Sequence, residues 1–334
     1  MLNMEEPLLS GIDVGGTTTR IALADASGLV CGEGRAPGAG LTEVSLEESA
    51  SRLAIAWHEA CARAGRAPTE PVTALFAGFG SLAATRDASG VRRVLKLAGI
   101  RARRLMVGHD SANAQAGARP DGTGVHVIAG TGSVVVARDA QDCLHRVGGW
   151  GPGIGDEGAA WWLACAALRS LAARSDAGQK PGLLDLDLLR ALRIREPREL
   201  LAAVFTSGLD RAGFAALAQP VLARAATGDR IARSLLAAGA DALGAQVAQA
   251  AHRAHLTAPA VTVSGGMFDH APGYARRMVA AARRSGVNAR LTPAVAGPLA
   301  GALLLARRLT TPKTNGRADL AFVRRAADSL HFCL

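Results

Sequence analysis

The sequence predicts an α/β protein in which one domain plan occurs twice, and three observations carry that expectation. Three short apolar stretches at 7–14, 20–25 and 29–35 have the composition of strands and are parted by glycine-containing turns. A trio of the same kind recurs at 124–129, 133–138 and 144–147. Around and after these trios, segments with apolar residues at helical spacing alternate with further short apolar runs.

The elements can be justified in order. The first trio reads as an antiparallel meander, and 44–64 follows as an amphipathic helix. An apolar strand is expected at 72–77, a helix at 92–98, and a strand at 104–107 that ends in Gly108-His109-Asp110. The second meander carries GTGS in its first turn. Beyond Trp150 the chain is alanine-rich and strongly helical, with helices expected over 159–173, 183–192, 198–205, 211–226 and 230–255. A strand at 260–264 leads into Gly265-Gly266, and helices over 272–284 and 297–308 follow. In the tail from 311 to 334, the pattern AFVRRAADSLHF fits one amphipathic helix packed on a domain, and a disordered terminus fits equally.

Composition bounds the function. A chain of 334 residues, 49% of them hydrophobic, can bury a sizeable core and is long enough for two domains. No apolar run reaches the roughly 18 residues of a membrane span, and residues 1–10 hold two glutamates and a proline where a secretion signal would be basic and then apolar, so a cytoplasmic protein is expected. Cys31, Cys61, Cys143, Cys165 and Cys333 are scattered, with no CxxC pair, and read as reduced thiols, mostly buried. The net charge of +10 comes with arginines spread over the expected helices and with no helix-turn-helix signature. That pattern argues for dispersed surface charge, able to draw a phosphorylated ligand, and against nucleic acid as a partner.

The stretch GIDVGGTTTR at 11–20 is the first that carries chemistry. A strand that ends in aspartate and enters a hairpin of glycines and threonines offers open backbone N–H groups and hydroxyls, the equipment for gripping phosphate oxygens. Asp13 would repel phosphate without a cation between them, so its natural role is to hold Mg²⁺, directly or through water. GTGS at 130–133 offers the same equipment again. No GxxxxGK[ST] occurs, which removes the P-loop, and GIGDEG at 153–158 follows a Trp-Gly-Pro loop instead of the buried strand that a dinucleotide fingerprint needs. His252 and His255 lack a third ligand nearby and read as solvated.

Five segments in this order, GIDVGGTTTR, HDSANA at 109–114, IAGTGSVV at 128–135, GGWGPGIGDEGAAWW at 148–162 and VSGGMF at 263–268, resemble the superfamily of sugar kinases, heat-shock ATPases and actin. Within it the chain looks most similar to the N-acetylglucosamine kinases and the related BadF/BcrA-type ATPases, over about residues 8 to 308. The resemblance implies two actin-like (ribonuclease H-like) domains around a nucleotide and sugar cleft. It places the first domain at 1–117, with the helix at 297–309 packing back on it, the second at 118–296 and a tail at 310–334. It assigns Gly15, Gly16, Thr17 and Thr18 to a first phosphate loop and Gly130, Thr131, Gly132 and Ser133 to a second. Gly265, Gly266 and Met267 would flank the adenosine of ATP.

The same resemblance makes Asp110 the catalytic base. Taken alone, Asp110 reads first as the N-cap of a helix starting near Ser111, and the company of the other motifs reverses that preference. Asp156 would hydrogen-bond sugar hydroxyls, with Gly149 and Trp150 beside the sugar and Trp150 able to stack on its face. Glu157 stands open between an assisting role and the start of the next helix, and Trp161 and Trp162 read as helix core and flank. One departure bears on the substrate. The loop APGAGLTEV at 36–44 lacks the asparagine that amino-sugar kinases of this type commonly place there, which leaves the acetamido preference open. The reading is an ATP- and Mg²⁺-dependent kinase acting on the 6-hydroxyl of N-acetylglucosamine or glucosamine, with a small-molecule sugar as partner, no membrane, and homodimerisation left open. The alternative is a BadF/BcrA-type ATPase or nucleotide-binding protein without sugar transfer.

Overall fold

The computed structural model describes residues 7–83, 88–206, 209–311 and 316–331. Along the chain run β1 (Leu9–Val14), β2 (Thr18–Ala24), β3 (Val30–Pro37), α1 (Leu46–Arg63), β4 (Val72–Phe79), α2 (Ser89–Leu97), β5 (Ala102–Gly108) and α3 (Asp110–Ala118). Next come β6 (Gly124–Ala129), β7 (Ser133–Arg138), β8 (Leu144–Gly148), α4 (Ala160–Asp176), α5 (Leu183–Leu192), α6 (Leu200–Thr206), α7 (Arg211–Ala216), α8 (Ala218–Ala226) and α9 (Arg230–Arg253). The chain closes with β9 (Ala260–Ser264), α10 (Gly266–His270), α11 (Tyr274–Arg284), β10 (Arg290–Leu291), α12 (Pro298–Arg308) and α13 (Gly316–Ser329). It divides into two compact units, one made of Met1–Thr123 with Pro293–Leu334 and the other of Gly124–Thr292.

In the first unit the strand order is β3-β2-β1-β4-β5, with β1, β2 and β3 antiparallel and β4 and β5 added in parallel. The second unit repeats this plan as β8-β7-β6-β9-β10, again an antiparallel meander followed by parallel additions. Strand alternation divides the first sheet between two cores. Ile12, Val14, Leu75, Ala77 and Phe79 face α1 and α2 with Leu53, Trp57 and Val94, whereas Leu9, Ala74 and Phe76 face α12 and α13 with Leu303, Leu304 and Phe322. Gly11 lets α12 lie directly on β1, because a Cβ there would stand 2.8 Å from the Leu303 nitrogen. In the second unit α4, α5, α8, α9 and α11 share one core with Val125, Val127, Val135 and Val261.

The tail resolves toward a helix. α13 buries Phe322, Val323 and Ala326, and its buried Asp319 takes bonds from Arg307 and Arg308 of α12 at 3.2 and 2.8 Å. Ser329 Oγ accepts from the Val30 N–H, and the His331 N–H donates to Glu33 Oε1.

Several expectations need correction. The single helix expected over 211–226 is two, α7 and α8, parted at Leu217; Pro220 has no N–H to donate to the Ala216 carbonyl, so a continuous helix would lose that bond. The short α10 and the two-residue β10 were not expected. Of the cysteines expected to be mostly buried, Cys61 is buried and Cys165 half-buried, but Cys31 and Cys143 are exposed; Cys333 lies outside the described residues. No described helix is long and apolar enough to cross a membrane.

Candidate active site

In the first unit the candidate side chains Asp13 and Asp110 lie at the C-terminal ends of β1 and β5. Asp13 is the penultimate residue of β1, opposite Arg20 on β2 and beside Gly78 on β4. The β1–β2 turn is closed by Gly15 N–H donating to the Thr18 carbonyl at 3.0 Å, which leaves Gly16 and Thr17 exposed. Gly38 packs its Cα against the Gly15–Gly16 backbone, and the Glu43 carboxylate approaches Gly16 and Gly40, so the loop after β3 flanks the first hairpin.

Asp13 is held by Asn113 of α3, whose amide donates to Asp13 Oδ1 at 2.9 Å and to the Ile12 carbonyl at 3.1 Å. Gly78 makes this possible, since any side chain there would occupy the place of the Asn113 amide. Burial pushes the Asp13 carboxyl up to about 6; the Asn113 bond and Arg20, with a guanidinium nitrogen 3.9 Å away, pull it back, while Asp110 adds repulsion. Asn113 was missed in the sequence because an asparagine inside DSANA reads as a helix-surface residue, and its partner is 100 positions away.

Asp110 opens α3, but the cap residue is His109, whose Nδ1 accepts from the Ser111 N–H at 3.1 Å. The reading of Asp110 as an N-cap therefore gives way to one in which its carboxylate is free of the helix backbone. Asp110 Oδ1 lies 2.9 Å from His109 Nδ1, and Oδ2 lies close to Gly80, where a Cβ would stand 2.9 Å from it.

In the second unit the GTGS hairpin is built into its surroundings. The Gly130 and Thr131 carbonyls accept from the Ala160 and Trp161 N–H groups at 2.9 and 3.1 Å, so the hairpin caps the first turn of α4. Asp156, 2% exposed and in the left-handed region at φ +60°, turns its carboxylate under the hairpin. Oδ1 accepts from the Ser133 N–H and Oδ2 from Arg211, both at 3.2 Å. Burial raises the Asp156 carboxyl, against the pull of Ser133 and Arg211. Ser133 Oγ donates to the Glu157 carbonyl at 2.8 Å, and the Glu157 carboxylate accepts from Gln246 at 2.8 Å, which ties Glu157 to α9 ahead of the start of α4.

Gly265, at φ +104°, lies against the Ala129 backbone at the mouth of the same hairpin, so the Gly265-Gly266 turn and GTGS are neighbours. Met267 turns its side chain into the hydrophobic core. Gly149 adopts φ +69°, and Trp150, 69% exposed, lies against Gly155, where a Cβ would stand 3.0 Å from its own Cβ; Ile154 of the same loop is 81% exposed. Trp161 packs on Phe214, with ring centroids 4.1 Å apart. His252 and His255 are exposed. Arg211, absent from the sequence reading, carried no signal there, because its link to Asp156 spans 55 residues.

Each unit, taken by itself, has residues that fit one part of a Mg²⁺-bound nucleotide. Nothing stands within 4 Å of where a Cβ on Gly130 would be, so the hairpin is open on that side to an approaching group such as a phosphate. Asp13 is a desolvated carboxylate short of cationic compensation. Among the described residues no cluster of three His, Cys, Asp or Glu could hold a metal alone, so an ion here would share its shell with phosphate oxygens and water, as magnesium commonly does.

Comparison with known proteins shows what the whole chain is similar to. An N-acetylmuramic acid/N-acetylglucosamine kinase of Clostridium acetobutylicum is 26% identical over 226 residues, covering 68% of this chain and 73% of its own. An N-acetyl-D-glucosamine kinase of Dictyostelium discoideum is 31% identical over 124 residues, 36% of this chain and 38% of its own. A crystal structure from Chromobacterium violaceum, provisionally described as an N-acetylglucosamine kinase, shares the two-domain actin-like fold with a TM-score of 0.72 at 24% identity, over 90% of this chain and 99% of its own. The family model for the BadF/BadG/BcrA/BcrD ATPases matches residues 10–306, and the chain belongs to that family.

Proposed function

We propose that the protein is an ATP-dependent kinase that phosphorylates the 6-hydroxyl of an amino sugar, N-acetylglucosamine or glucosamine. The observation that carries this reading is the pair of carboxylates at the ends of parallel strands. Asp13 is buried and fixed by Asn113, while Asp110 is only half-buried and does not cap its own helix. The two environments suit two roles. Asp13 would hold Mg²⁺, which when bound neutralises charge on the phosphates. Asp110 would accept the proton of the sugar hydroxyl as that oxygen attacks phosphorus. The hairpins of Gly15, Gly16, Thr17 and Thr18 and of Gly130, Thr131, Gly132 and Ser133 would bind phosphate oxygens, although the Gly15, Gly130 and Ser133 N–H groups are already given to Thr18, Gly132 and Asp156. Gly265, Gly266 and the Met267 backbone would flank the adenosine. Gly149 and Trp150 would meet the sugar, and Asp156, already engaged by Ser133 and Arg211, would reach it only by exchanging one of those partners. The kinases named above support the choice of an amino sugar.

The test is ADP release with Mg²⁺ and ATP across a panel of amino sugars and hexoses, with the product's phosphate position assigned by NMR. Stimulation by N-acetylglucosamine or glucosamine well above the sugar-free rate is expected. ATP turnover indifferent to every sugar would instead assign an ATPase without sugar transfer.

A further inference from the structure

We propose that Arg211 is a phosphate-binding residue of the second hairpin, shared by exchange between Asp156 and the nucleotide, so that a phosphate taking the guanidinium frees Asp156 Oδ2 for a sugar hydroxyl. This rests on the reading of GTGS as a phosphate loop and of Asp156 as a sugar residue. An Arg211 guanidinium nitrogen donates to Asp156 Oδ2 at 3.2 Å. Both groups lie against Gly132, where a Cβ would stand 2.6 Å from that oxygen and 2.8 Å from the guanidinium nitrogen, so the cation rests on the hairpin itself. The partners differ in burial: the Arg211 side chain is 42% exposed and that of Asp156 only 2%. Arginine is therefore the member of the pair that can turn toward an arriving ligand, while the carboxylate stays in place.

The hairpin needs a cation to hold phosphate. Its Gly130 and Ser133 N–H groups are spent on the Gly132 carbonyl and on Asp156, and GTGS contains no lysine. The side chains at 156 and 157 are both carboxylates, and Asp156 lies directly under the hairpin. A polyanion would meet that negative charge unless Arg211 offset it. The bond to Asp156 comes from one guanidinium nitrogen, whereas the planar fork of N–H donors can grip two phosphate oxygens at once, which makes a phosphate the better partner. Exchange then bears on the sugar. Asp156 Oδ2 without Arg211 is a buried acceptor short of a donor, and such a group is costly to leave unpaired. A sugar hydroxyl supplies the missing donor, so each ligand lowers the cost of binding the other, and the coupling is reciprocal.

The experiment is calorimetry on the full chain with the non-hydrolysable nucleotide AMP-PNP and Mg²⁺, and with glucosamine and N-acetylglucosamine. Each ligand is titrated alone and in the presence of the other kind, for wild type, Arg211→Gln and Arg211→Lys, with melting temperatures alongside. Wild type should bind its sugar on the order of 10-fold more tightly when AMP-PNP is present, and AMP-PNP more tightly by the same factor when the sugar is present. Arg211→Gln keeps an amide able to donate to Asp156 but loses the charge. Its AMP-PNP affinity should fall on the order of 10- to 100-fold, its sugar affinity without nucleotide should stay within about threefold, and the coupling should vanish. Arg211→Lys keeps the charge without the fork and should fall between the two, which decides the matter if the glutamine variant folds poorly. AMP-PNP affinity unchanged in both variants, a wild type without coupling, or a coupling that survives in Arg211→Gln overturns the proposal. Loss of sugar affinity with nucleotide affinity intact overturns it too, as the mark of an arginine that only braces Asp156. A wild type that binds neither sugar, with or without AMP-PNP, removes the kinase reading and this proposal with it, whereas intact sugar binding beside unaltered nucleotide affinity in the variants removes this proposal alone.

Discussion

Replacing Asp13 with asparagine should make the protein more stable while destroying its proposed use of Mg²⁺. The folded-state carboxyl of Asp13 sits at about 6 against 3.8 for a free, solvated aspartate, because burial outweighs the help from Asn113 and Arg20. A raised carboxylate means that folding favours the protonated form. The associated stability is fully present below the unfolded value and is lost as pH rises through the folded one, so above pH 6 the ionised Asp13 is a net burden. At about 1.4 kcal/mol for each tenfold in proton affinity, that burden is about 3 kcal/mol at pH 8, roughly half as much at pH 5 and nearly nothing at pH 4. Asparagine keeps an oxygen to accept from the Asn113 amide and never ionises, so Asp13→Asn should exceed wild type by about 2–3 kcal/mol at pH 8 and match it near pH 4. Urea denaturation at both pH values, read by hydrogen exchange of the β1 and β4 amides, isolates the first unit from the second. A variant that is no more stable than wild type at pH 8, or an advantage that does not change with pH, would refute the reasoning.

Three further outcomes can be checked. The affinity for ATP with Mg²⁺, measured by calorimetry, should weaken about tenfold per pH unit below 6 as Asp13 takes a proton, and Asp13→Asn should flatten that dependence. Gly132→Ala would set a Cβ 2.6 Å from Asp156 Oδ2 and 2.8 Å from an Arg211 nitrogen, so it should cost about 1–3 kcal/mol and weaken nucleotide binding in a titration. Phe322→Ala removes a ring buried on α13 beneath the Arg307 guanidinium, 4.9 Å from its centroid, and should cost about 3–5 kcal/mol with kcat retained, seen as faster proteolysis around 310–331 at unchanged turnover.

Much of this architecture was legible because its signals are local. The β1–β2 turn announces itself through glycine and threonine after an apolar run, and the repeat of that pattern at GTGS foretold a second sheet on the same plan. What could not be read depends on partners distant in sequence. Asn113 and Arg211 matter only because the fold brings them to Asp13 and Asp156, and neither carries a periodic or compositional mark. The strand β10 is two exposed residues recruited by the edge of β9, too short for any pattern. The break at Leu217 was different, for Pro220 stood in plain view and the alanine-rich surroundings outweighed it. At Asp110 the sequence showed an acid near a helix start, and only the backbone shows that the preceding histidine, not the acid, does the capping.

The first unit is discontinuous, and this shapes how the chain must acquire its structure during synthesis. Residues up to Thr123 leave the ribosome before the whole of the second unit, whereas α12, which covers Leu9, Ala74 and Phe76, arrives after it. Until then that face of the first sheet is covered only in part, by Ala116 of α3, and closing it joins residues almost three hundred positions apart, as in the Val30–Ser329 bond. The second unit is continuous and can finish folding first, so the growing chain would carry a complete C-terminal module beside an N-terminal one still exposing an apolar surface, the kind of intermediate that chaperones recognise. A chain ending at residue 292 and released from the ribosome should therefore be protease-resistant over 124–292 and sensitive over 7–123, an order of maturation opposite to the order of translation.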